Sequence, residues 1–184
     1  LSVFKTSWVV LKTHKQNEKE LLYTIFFRDY GKLMVTKKKK TREKPLDIWY
    51  TVNCEIITKE GRDIHTIGNI KIANQFSHEN KDFQAIEKYL QIITYVLTNI
   101  PTWTPHIEVY NVLEYIWKNS EKISYIQLVL TQIKLYDIVS GIDENHTDIT
   151  VQKILKFVKN NKISEVLKLK WIDDQVLEKL LKIV

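Results

Sequence analysis

The chain is 184 residues long, 44% hydrophobic and 11% aromatic, with 28 Lys and Arg against 22 Asp and Glu for a net charge of +6. That composition excludes wholesale disorder, and a chain of this length buries roughly 70% of its unfolded surface, enough for one or two domains with real cores. The lone cysteine, Cys54, excludes an intrachain disulfide and leaves a cysteine-based zinc site short of ligands, and no run of about 18 uncharged apolar residues is present to span a membrane.

The first 76 residues read as strands. Residues 7–12 (SWVVLK) form a short one, and residues 21–27 (LLYTIFF) form a second, rich in aromatic and β-branched side chains. Asp29, Tyr30 and Gly31 supply a turn, with Gly31 tolerating positive φ, and residues 32–36 return as a third strand. Residues 48–58 are a fourth, with Trp49, Thr51, Asn53, Glu55 and Ile57 on one face. After Gly61, residues 63–72 make a fifth, with Ile64, Thr66, Gly68, Ile70 and Ile72 sharing a face. Five short strands within about 75 residues suit a small closed barrel of the oligonucleotide-binding (OB) type, whose loops and one strand face form the binding surface. Cys54 then reads as a small apolar residue inside a strand, and its reduced state points to the cytoplasm.

From Asp82 onward the period becomes helical. Phe83, Ile86, Leu90, Ile93 and Leu97 recur at steps of three and four and predict one apolar stripe. Pro101 ends that helix. Thr104 as N-cap and Pro105 at the first helical position predict the next, buried through Ile107, Tyr110, Leu113 and Trp117 on one face and Val109, Val112 and Ile116 on another. Tyr125–Ser140 is apolar on most sides and predicts the centre of a bundle. A polar linker over 143–148 leads to a stripe of Val151, Ile154, Leu155 and Val158. Ser164 is expected to cap a short turn, and Asp173 to start a last helix carrying Val176, Leu177, Leu180, Leu181 and Val184. The expected organisation is α+β: a basic OB barrel over 1–78, then an all-α domain over 79–184.

Charge is unevenly spread along this plan. Residues 1–76 hold 15 Lys and Arg against 8 Asp and Glu, or +7, whereas residues 77–184 hold 13 against 14, or −1. Such asymmetry points to a polyanion as the partner of the barrel. Its focus is Lys37, Lys38, Lys39, Lys40, Arg42 and Lys44 between strands three and four, with Lys32 upstream, Lys12 at the end of the first strand and Lys15 after it. A lysine is a point charge that attracts phosphate without reading bases, so sequence-independent, salt-sensitive binding is expected. Single strands also need aromatic faces to stack on. Trp49 and Tyr50 are adjacent, so on a strand one of them faces outward and is the stacking candidate.

Chemistry for catalysis is missing. The four glycines are isolated, so no loop can cradle a nucleotide phosphate, and no nucleophile elbow occurs. His14, His65, His78, His106 and His146 are scattered without metal-ligand spacing. A non-enzymatic protein with no metal and no cofactor is expected.

The N-terminal stretch, with Trp8 to Thr13, then Asn17 to Phe26, then Gly31-Lys32-Leu33 and the basic loop, resembles the start of the bacterial RecO recombination-repair proteins. Tyr89-Leu90 and the segment from Tyr110 to Leu113 are similar to the helical domain of that family. The resemblance implies an OB barrel followed by helices that binds single- and double-stranded DNA, anneals complementary strands and, with RecR, helps load RecA. It also implies that the barrel meets DNA and RecR, that the helical domain takes the acidic, Phe-ended C-terminal tail of single-strand-binding protein, and that Lys38, Arg42 and Lys44 are the best carry-overs. Phe27 stands where the family usually has Thr, Lys39 where it has Gly, and Ile92 where it has Glu. The segment that carries a cysteine cluster in some members is nearly absent, so a shortened member without zinc is implied. Beside this reading stand a generic OB module that binds RNA and a protein–protein adaptor whose lysines serve solubility. A membrane surface is disfavoured, because no amphipathic helix flanks the basic run.

Overall fold

The computed structural model describes residues 2–14, 19–39, 45–58, 62–76 and 81–184. Its strands are β1 (Ser2–Thr13), β2 (Glu20–Phe27), β3 (Gly31–Lys38), β4 (Thr51–Thr58) and β5 (Ile64–Asn74). Its helices are α1 (Phe83–Asn99), α2 (Ile107–Lys118), α3 (Tyr125–Ser140), α4 (Ile149–Asn160), α5 (Ile163–Val166) and α6 (Asp174–Leu181). Two compact units emerge: Leu1–Ser77 with Ile100–Lys118, and His78–Asn99 with Asn119–Val184. The sequence places all of 79–184 in a helical domain, but in the structure α2 and the segment before it group with the strands.

In the first unit the strands close into a barrel in the order β1-β2-β3-β5-β4, with β4 pairing back to β1. The β3–β5 pairing is parallel and the other ladders are antiparallel. This is the OB barrel expected from the strand count. Trp8, Val10, Tyr23, Ile25, Phe27, Val35, Val52 and Ile56 fill it, each contributing about 1.5–3 kcal/mol by leaving water. Within this core the Trp8 indole Nε1 donates to Cys54 Sγ at 2.6 Å. Burial outweighs that bond and pushes the Cys54 thiol up to about 12, which leaves it unreactive.

Three strand details depart from the sequence reading. β1 begins at Ser2, because its first half pairs with β4 from Ser2↔Thr58 onward. β4 begins at Thr51, and Trp49 just before it has φ of 75°. On β5 the buried residues are His65 and Ile67, whereas Ile64 and Ile72 are exposed. A register shift against β4 and a φ of 48° at Asn69 mark a bulge that re-aims the strand, so Ile70 beyond it packs on the core.

In the second unit α3 is central and packs against α1, α4, α5 and α6. Ser124 and Gln127 form a capping box at its start. α1 buries Ala85, Tyr89, Ile92 and Val96 together with Ile93 of the expected stripe; Ile86 and Leu97 of that stripe are half-buried, and Phe83 and Leu90 lie exposed. Apolar residues sit on most of this helix, so two stripes compete, and the one carrying Tyr89 wins by burying the larger side chain. Lys88 is buried with it. Its ammonium donates to Gln132 Oε1 at 3.0 Å, and desolvation lowers its proton affinity. Asp148 and Asp173 cap α4 and α6. Ser164 lies inside α5, whose N-cap is Lys162, and makes no cap.

Candidate nucleic-acid interface

The outer face of β1, β2 and β3 is defined by register and parity. Tyr23, Ile25 and Phe27 on β2 and Leu33 and Val35 on β3 point into the core. Their neighbours Leu22, Thr24, Phe26, Lys32, Met34, Thr36 and Lys38 therefore point outward. Cross-strand partners share a face, which adds Val9 opposite Phe26, Lys12 opposite Thr24 and Glu20 opposite Lys38.

This face has a covered half and an open half. In the covered half Val9 and Phe26 are fully buried although they face away from the core. The Trp103 amide donates to the Lys32 carbonyl at 3.1 Å, and Thr102 bridges Lys32 as an added parallel neighbour of β3. Gly31, with φ of 72°, has the Thr104 carbonyl oxygen 2.0 Å from where a Cβ would sit. This close approach explains why Thr104 does not cap α2: it is held against the barrel, and the helix begins at Ile107. Along α2, the Tyr110 hydroxyl interacts with Ser7 and Glu114, while Asn74 Nδ2 donates to the Trp117 carbonyl at 3.1 Å. Burial, with Glu114 beside it, pushes the Tyr110 phenol up to about 12, against the pull of Arg28.

In the open half Lys12 and Lys38 are exposed; Lys37 and Lys39 fall on the alternate parity, Lys37 half-buried and Lys39 exposed just past the end of β3. The Lys39 amide donates to the Lys19 carbonyl at 2.9 Å, so the hairpin ladder continues to the start of the basic run. Lys19, also exposed, is a member of this group that sequence reasoning missed. Counting outward from the Asp29–Tyr30 turn pairs it with Lys39. His14 Nε2 lies 2.8 Å from Thr24 Oγ1, and desolvation together with the Lys12 charge lowers its proton affinity. At the far side of the basic run, Leu46 is buried and its amide donates to the Tyr23 hydroxyl at 3.1 Å, which ties the returning chain to the core. Among the described residues no ion pair involves Lys12, Lys38 or Lys39.

The remaining sequence candidates divide as follows. Lys15, Lys40, Arg42 and Lys44 lie outside the described residues. Lys32 belongs to the covered half, about 20 Å along β3 from Lys38 at the usual rise. There desolvation lowers its proton affinity. Trp49 is 6% exposed, stacked on Phe76 with centroids 5.3 Å apart and edge-on to Trp117 at 5.7 Å. Tyr50 is half-buried against the barrel core. Neither is an outward stacking face, because the turn before β4 breaks the strand alternation that the expectation rests on.

Trp103 is 43% exposed, with φ of 64° and its ring edge-on to His65 at 4.6 Å. His65 is 3% exposed, and among the described residues neither ring nitrogen has a hydrogen-bond partner. Desolvation lowers its proton affinity, against the opposing effect of Asp63.

Among the described residues no His, Cys, Asp and Glu come together as a group able to hold a metal ion, and no helix is long and apolar enough to cross a membrane. Comparison of the chain with protein-family models and with curated proteins returns no match.

Proposed function

We propose that this protein is a non-catalytic DNA-binding recombination mediator of the RecO type. The open end of the barrel carries the reading: Lys12 and Lys38 on the outer face, and Lys39 just past the end of β3, stand exposed, with no carboxylate paired to them among the described residues. An OB barrel with one strand face bearing free ammonium groups suits a phosphate backbone, whose condensed counterions are released as lysines replace them. The barrel holds single- and double-stranded DNA by that face, anneals complementary strands, and acts with RecR in loading RecA. The helical unit receives the C-terminal tail of single-strand-binding protein.

An annealing assay on complementary oligonucleotides coated with single-strand-binding protein tests the reading. Pairing several-fold faster than the uncatalysed rate is expected. Pairing at the uncatalysed rate, or tighter binding of the matched RNA strand than of the DNA strand, overturns it.

A further inference from the structure

The even charge balance of residues 77–184 conceals a second division. Residues 77–148 hold 5 Lys and Arg against 10 Asp and Glu, or −5, whereas residues 149–184 hold 8 against 4, or +4. On α4, Val151, Leu155 and Val158 are buried, and Lys153, Lys156 and Lys159 are exposed at steps of three. Lys162, also exposed, follows in the chain at the N-cap of α5. Side chains three apart on a helix are neighbours, so the ammonium groups of Lys153, Lys156 and Lys159 form one cationic strip. Lys134 reaches in from α3, donating to the carbonyls of Val158 and Lys159 at 2.9 Å each; it closes the negative end of the α4 dipole but is itself paired with Asp137 and adds no free charge to the strip.

Several acids in and beside this region are engaged elsewhere, while Asp174 and Glu178 stand exposed on α6. Glu165 pairs with Lys168, Asp148 with Lys179 and Asp137 with Lys134, while Asp173 caps α6. Among the described residues no ion pair neutralises Lys153, Lys156, Lys159 or Lys162.

An aromatic face lies close by in the chain. Trp171 is 77% exposed and follows Lys168 and Lys170, while Ile172 beside it is buried and Asp173 opens α6. The backbone is thus anchored on the C-terminal side of an indole left in water. α5 packs on α4, and Trp171 is five residues beyond the end of α5, at most about 18 Å of extended chain. An exposed indole next to Lys170, with Asp173 and Asp174 beyond it in the chain, supplies the stacking face that the barrel lacks at Trp49 and Tyr50.

We propose that α4 and the turn from Lys168 to Trp171 form a second contact for single-stranded nucleic acid, with the lysine ridge on phosphates and Trp171 under a base. This rests on the proposed function and adds a surface to it. A membrane is the weaker fit, because the stripe of Val151, Leu155 and Val158 is already buried and the exposed Ile149 stands alone at the first turn of α4.

The test uses the full chain, an oligothymidine and a duplex of equal length, each titrated at several salt concentrations. Trp171→Ala is expected to weaken oligothymidine binding about fivefold to a hundredfold while leaving duplex affinity within about twofold, and Trp171→Phe to retain most of the affinity. Substituting Lys153, Lys156, Lys159 and Lys162 by Ala should flatten the oligothymidine salt slope by roughly 2–3. Unchanged oligothymidine binding in both variants overturns the inference. So do equal losses on both nucleic acids in Trp171→Ala, or a ridge variant that loses binding only to phosphatidylserine vesicles or to an acidic peptide. Failure of the parent chain to bind any DNA sinks the proposed function as well. Loss of binding on Lys12, Lys38 and Lys39→Ala with no effect from the α4 and Trp171 variants sinks this inference alone.

Discussion

The two halves of the β1–β2–β3 outer face are built from the same strands and differ in what lies over them. Toward Gly31, Val9 and Phe26 are dry, Thr102 and Trp103 run beside Lys32, and the lysine there is partly desolvated. Toward Lys38 the face carries exposed ammonium groups. A lysine near a barrel strand is therefore not automatically a phosphate contact. In the covered half it belongs to packing, and in the open half it is available to a polyanion.

The largest effects should come from disturbing the covered half. Phe26→Ala should cost about 3–5 kcal/mol of stability by leaving a cavity. Gly31→Ala should cost about 3 kcal/mol or more, since its Cβ would collide with the Thr104 carbonyl at a positive φ. Urea unfolding measures both. A loss under about 1 kcal/mol in either would mean that the covering segment yields easily.

Next in size is the open half. Replacing Lys12, Lys38 and Lys39 together by Ala should flatten the duplex-DNA salt slope by roughly 2–3 and leave the unfolding midpoint nearly unchanged. Lys32→Ala should leave the slope as it is. Equal effects from the two substitutions would erase the distinction between the halves.

A smaller effect concerns His65. Burial holds its folded-state proton affinity below the usual value of 6.5, so under that pH the unfolded chain binds more protons and stability falls as pH falls. His65→Phe keeps an aromatic edge against Trp103 and should lose less stability between pH 7.5 and pH 5.5 than the parent, as read from urea midpoints. An identical loss would place the sensitivity elsewhere, at His14 for instance.

The smallest effect is expected at Asp148, outside this face. The Lys179 ammonium and the Thr150 and Val151 amides hold its carboxyl near 2, so its contribution is present above the ordinary carboxylate range and lost as pH falls from about 4 toward 2. Asp148→Asn should flatten that part of the thermal melting profile.

Fold and site were legible in the sequence to different degrees. Strand count and turn chemistry at Asp29–Gly31 sufficed for the barrel, because a hairpin's register follows from its turn. The end points of α3 and the cap at Asp173 were likewise readable, since both depend on neighbouring residues alone. What stayed hidden depends on distant contacts. The association of Ile100–Lys118 with the strands is invisible in local periodicity, and so is the burial of Trp49 by Phe76 and Trp117, which removes the stacking candidate. On β5 one bulge at Asn69 undid a parity argument. The basic cluster was readable as composition, but its division into covered and open lysines was not.

The discontinuity of the barrel unit bears on any attempt to work with pieces of this protein. A fragment stopped near residue 78 would contain every strand yet lack the stretch from Ile100 to Lys118 that supplies Thr104 to Gly31 and Trp117 to Trp49. Such a fragment should emerge from expression sticky and prone to self-association, with Trp49 bared. A cut after Lys118 keeps all of the chain that the unit uses, but it also keeps α1 without the α3 it packs on, so Tyr89, Ile92 and Val96 would be bared in place of Trp49.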